Sequence, residues 1–139
     1  MSRYVVIGCV VIVCVVAVVV GYVLCEHLEG VQDAYALDWA SAMVASYIDR
    51  HHGQAPDTWD DLRPEFDVLS ERDKSWTFDE IKGRVVIDFA NLEGWTKGRR
   101  HNPEFVSTVS GRQLRWSAPD PNERIAEVCV RTAGTSSDH

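Results

Sequence analysis

Five carboxylates, Asp57, Asp60, Asp61, Glu65 and Asp67, fall within eleven residues just after the adjacent pair His51 and His52. Calcium takes six to eight oxygen ligands, and a loop of this composition supplies several. The alternating aspartates and the glycine of a dedicated calcium loop are missing, so capping and a solvated surface account for these residues. Neighbouring histidines on a helix point about 100° apart, unlike the i, i+4 pair of a zinc-protease helix. No cysteine or third histidine stands at ligand spacing, and His51 and His52 are read as favourable charges at a helix carboxy terminus. No metal site and no cofactor is therefore assigned.

Nucleophilic catalysis would need a serine in a glycine-framed elbow or a cysteine with a histidine nearby. Ser107, Ser110 and Ser117 lack the glycines, and Cys129 sits on an apolar helical side as a small buried residue. Residues 94–98, Gly-Trp-Thr-Lys-Gly, are too short for a phosphate cradle. An enzyme reading rests on Asp57 and Asp61 converging in a cleft with an altered proton affinity. The preferred expectation is a protein that is not an enzyme, with no catalytic residue to name.

The element that must position the rest is at the amino terminus. A run that begins at Tyr4 and ends at Cys25 carries no charge, and half of its 22 residues are valine. At about 1.5 Å per residue it reaches roughly 33 Å, enough for the hydrocarbon layer, where a single spanning segment must be helical. It is longer than a secretory signal core and no Ala-x-Ala site follows it. The lipoprotein-like residues 6–9 have too little chain before Cys9 for a signal core. The expectation is an anchor that contacts the lipid bilayer from Tyr4 to Cys25. Arg3 precedes it, while Glu26, His27, Glu29 and Asp33 follow, with no further basic residue until Arg50. The positive-inside bias then places the amino terminus in the cytoplasm and the domain outside it. Ala17 and Gly21 form one small-xxx-small pair.

All 21 acidic residues and all but one of the 14 basic ones follow the run, a net charge of −8 beyond the anchor. That balance opposes nucleic acid and anionic lipid headgroups as partners. Lys97, Arg99 and Arg100, among glycines, read as a solvated loop. The organisation expected is an anchor over residues 1–25, one small domain over 26–133 and a flexible tail over 134–139.

Within the domain, Leu37, Ala40, Val44, Tyr47 and Ile48 recur at three and four, which predicts an amphipathic helix from Asp33 to about His52, widened by Trp39 and Met43. Asp33, Asp38, Asp49 and Arg50 are expected off that face. Gly30 leaves open whether this helix and the anchor are continuous. Gly53 and Pro56 read as the helix stop. A short helix opens at Thr58, is limited by Pro64, and packs Trp59, Leu62 and Phe66 under the long one.

Residues 84–89 and 76–78 are expected strands, and residues 104–109 and 112–116 an antiparallel hairpin about Ser110 and Gly111. Asp120, Pro121 and Glu123 open a closing helix that continues through Ile125, Val128 and Cys129. Trp59, Trp76 and Trp116 are expected in the core, and Trp39 and Trp95 partly exposed at a partner surface. The fold class is α+β: transmembrane helix, long amphipathic helix, short helix, three- to four-stranded antiparallel sheet and carboxy-terminal helix.

That order, with Tyr47, Gly53, Pro56 and Leu62, resembles type IV pilins and type II secretion pseudopilins. There an apolar helix runs into an amphipathic half, a glycine-x-x-proline loop and a small antiparallel sheet. The resemblance implies a structural or accessory role in a cell-envelope assembly, with a pilin-like filament subunit as the alternative. The sequence departs from the family's processing pattern. A cut after Gly8 would leave Cys9 first and Val13 fifth, where the family carries a glutamate.

Overall fold

The computed structural model describes residues 3–100, 102–112 and 120–135, with side chains from Ile12 to Gly134. The chain divides into two compact units between Gln32 and Asp33. One helix, α1 (Arg3–Arg50), supplies all of the described part of the first unit and the longest element of the second. It passes Gly30 without a break, so the modest cost of one glycine is met by the flanking helix.

In the first unit the apolar side chains of α1 face outward: Ile12, Val13, Val15, Val16, Val18, Val19, Val20, Val23 and Leu24 are all exposed. This is the one helix among the described residues that is long and apolar enough to cross a membrane.

In the second unit the same helix turns amphipathic. Ala36, Leu37, Ala40, Met43, Val44 and Ile48 are buried, at the three-and-four spacing of one face. Each large member contributes roughly 1.5–3 kcal/mol through the apolar surface it removes from water. Asp33 also lies on this face, four residues before Leu37, and is buried, contrary to the expectation that it would point away.

The helix ends by a left-handed cap. The Gly53 N–H donates to the Ile48 carbonyl at 2.8 Å, and His52, with φ 53°, takes the left-handed position ahead of Gly53 at φ 89°. The residue expected to reverse the chain was Gly53; the reversal begins one residue earlier, at a histidine.

Next come a single 3-10 turn, Trp59–Leu62, and α2 (Arg63–Ser70). The turn ends after four residues, within the limit expected from Pro64, and Pro64 itself belongs to α2. It stands in its first turn, where the missing N–H has no intrahelical partner to lose. Leu62 is fully buried, and Trp59 and Phe66 pack against the core as their spacing predicts. Phe66 lies tilted at 5.8 Å from Trp39 and edge-on at 5.5 Å to Phe78, and Trp59 meets Phe78 edge-on at 6.0 Å.

Residues 76–78 do not form a strand. Thr77 caps α3 (Phe78–Arg84): its N–H donates to the Glu80 carboxylate at 2.8 Å, and the Glu80 N–H donates back to Thr77 Oγ1 at 3.3 Å. The strand expected over residues 84–89 shortens to β1 (Val85–Ile87), because Asp88 accepts the Asn91 N–H at 2.9 Å and opens α4 (Phe89–Thr96).

The partner of β1 is β2 (Val106–Thr108), antiparallel, with Val86 opposite Ser107. Among the described residues the sheet has these two strands. The second arm of the expected hairpin falls almost wholly on residues 113–116, outside the described ones; Arg112, its first residue, is not in a strand. The architecture is α+β and mostly helical, with two of the three or four expected strands present among the described residues.

The outer side of β2 meets α5 (Pro121–Thr135). Asn122 Oδ1 accepts the N–H groups of Phe105 and Val106 at 2.7 and 2.9 Å, and its Nδ2 donates to the Val106 carbonyl at 3.1 Å. Asp120 accepts the Asn122 N–H at 2.8 Å, the helix opening expected from the Asp-Pro-Asn-Glu order. Ile125 and Cys129 carry α5 into the core. Its arginines reach α1: Arg124 pairs with Asp38 at 2.9 Å and donates to Ser41 Oγ at 3.1 Å, and Arg131 pairs with Asp49 at 2.8 Å.

Candidate functional site

Two groups of polar side chains draw together residues far apart in sequence. The first surrounds the carboxy-terminal end of α1. Ser46 Oγ donates to Glu65 Oε2 at 2.5 Å, and Arg50 pairs with Glu65 Oε1 at 3.2 Å, so the buried carboxylate of α2 is matched on both oxygens by one turn of α1. A buried charge without such partners would be strongly destabilising.

Tyr47, between these two residues on α1, stacks on His51 with ring centres 3.9 Å apart. Partial burial raises the Tyr47 pKa, and the negative charges of Asp61, Asp57 and Glu65 raise it further. The tyrosine is thereby held protonated, as a neutral hydroxyl among carboxylates.

Asp61 has a defined structural task. Its Oδ2 accepts the Thr58 N–H at 2.8 Å, the Asp57 N–H at 3.0 Å and the Thr58 hydroxyl at 3.1 Å. The Thr58 backbone donor is the largest influence lowering its pKa, and the other two bonds act in the same direction. A carboxylate so held is favoured in its charged form and serves as a capping group. Asp57 is exposed and contributes its backbone N–H to Asp61, as do Asp60 and Asp67 their exposed side chains to solvent. His51 and His52 are exposed at the helix end, where the sequence placed them.

The second group centres on Asp33. Arg84 donates to its Oδ1 at 3.0 Å, Ser110 Oγ donates to its Oδ2 at 2.9 Å, and Arg112 lies 3.7 Å from the same oxygen. Here α1, the end of α3 and the turn after β2 are held to one buried acid. Nothing in the spacing of Arg84, Ser110 and Arg112 pointed to this. Asp33 falls in step with Leu37, Ala40 and Val44, a register that the expectation of an outward-pointing acid passed over.

The remaining residues singled out in the sequence stand apart from one another. Cys129 is buried on α5, where loss of hydration pushes its thiol up to about 11. Ser107 belongs to β2 and Ser110 to the Asp33 group; Ser117 and Trp116 lie outside the described residues. Trp39, Trp59, Trp76 and Trp95 are all partly buried against the core, so the expected split between core and surface tryptophans is not seen among the described ones. Lys97, Arg99 and Arg100 are exposed after α4, and Lys97 pairs with Glu93 one turn back. Among the described residues no group of three histidine, cysteine, aspartate or glutamate side chains is placed to hold a metal ion.

Chemically, both groups do the same thing: they match a buried carboxylate to donors and so fix helices and turns to one another. Comparison of the chain with family models, curated proteins and solved structures finds no match.

Proposed function

We propose that this chain is a single-pass membrane protein whose helix carries residues 4–25 through the bilayer, with the amino terminus cytoplasmic and the α+β unit outside. The unit acts by binding, as a structural or accessory component of a cell-envelope assembly. The observation that carries this reading is the uncharged sleeve of exposed, mostly aliphatic side chains from Ile12 to Leu24 on α1, which water cannot solvate cheaply and lipid can.

The flanking charges support the orientation, with Arg3 before the run and Glu26, Glu29 and Asp33 after it. The engagement of Asp33, Glu65 and Asp61 in holding the fold supports a unit that works through its surface. A pilin-like layout, helix first and small sheet later, fits the same role. Val13 stands fifth after a cut at Gly8, which favours an accessory place over that of a repeating filament subunit.

The test is made on the full-length protein in intact cells and membranes. It should stay in the membrane pellet at alkaline carbonate pH, keep residues 1–25 in its mature mass, and give activity from an extracytoplasmic reporter fused after His139. Release by carbonate or removal of the segment overturns the anchor. Reporter activity confined to the cytoplasm overturns the orientation.

A further inference from the structure

We draw no further inference here: the strongest candidate, the exposed apolar face of α1 that Leu24, Leu28 and Val31 carry on beyond the uncharged run, carries nothing because nothing in the structure shows what covers it.

Discussion

Gly53 lies so close to Thr132 that a Cβ added to it would come within 3.1 Å of the threonine Oγ1 and 3.3 Å of its Cβ. The cap of α1 and the last turns of α5 meet there, so closely that a methyl group fits only if Thr132 gives way by a few tenths of an ångström.

Two neighbouring substitutions should consequently move stability in opposite directions. Gly53→Ala adds that contact and a side chain at φ 89°, and is expected to cost about 2 kcal/mol or more. His52→Gly relieves a left-handed histidine, about 1–2 kcal/mol, and restores backbone freedom to the unfolded chain, about 0.5–1 kcal/mol. The net gain is about 0.5 kcal/mol. Denaturant midpoints of the two variants measured side by side check both signs.

Asp33→Ala removes the acid that Arg84, Ser110 and Arg112 share. Breaking a fully buried pair costs about 3–5 kcal/mol. Here the arginine side chains are 34 and 32 % exposed and can turn to water, so about 2 kcal/mol is expected. Asp38→Ala, which breaks the more exposed pair with Arg124, should cost less than about 1 kcal/mol. Equal midpoint shifts would contradict the ranking.

The cap of α5 gives a third value. Asp120→Ala leaves the Asn122 N–H without its acceptor and should cost about 0.5–2 kcal/mol, while Asp120→Asn, which keeps an oxygen there, should cost little. An unchanged melting curve for the alanine variant would remove the cap from the account.

Cys129 makes stability depend on pH in a defined window. Its thiol titrates near 9.0 when unfolded and about 11 when folded, so between those values the unfolded chain binds fewer protons. Stability from this group is complete below pH 9, falls as pH rises towards 11 and levels off above it, a loss of roughly 3 kcal/mol. The difference between the native protein and Cys129→Ala, followed from pH 8 to 11.5, isolates this slope from the other groups that titrate there. A parallel pair of curves would place the thiol in water.

The helical parts of this chain were legible where one physical signal acted alone. The apolar run, the three-and-four spacing from Leu37 to Ile48 and the Asp-Pro-Asn-Glu opening of α5 each became the expected element. The strands were misjudged where two signals competed. Residues 84–89 have strand composition, but Asp88 is also a helix cap, and capping prevailed after three residues. Thr77 and Glu80 form a capping pair visible in the sequence, outweighed in the reading by the aromatic neighbours Trp76 and Phe78. The polar groups were least legible. Ser46 with Glu65, and Asp33 with Ser110, join residues 19 and 77 apart, and no local spacing encodes a meeting that the folded core creates.

The Asn122 carboxamide stands beside β2 where the peptide group of a third strand would stand, and it engages both outward-facing main-chain groups of Val106. Exposed strand borders template unwanted addition of other chains, the route to domain exchange and fibrillar growth. On this flank the vacancy is already plugged by a side chain from the same molecule, so an incoming strand would first have to displace it.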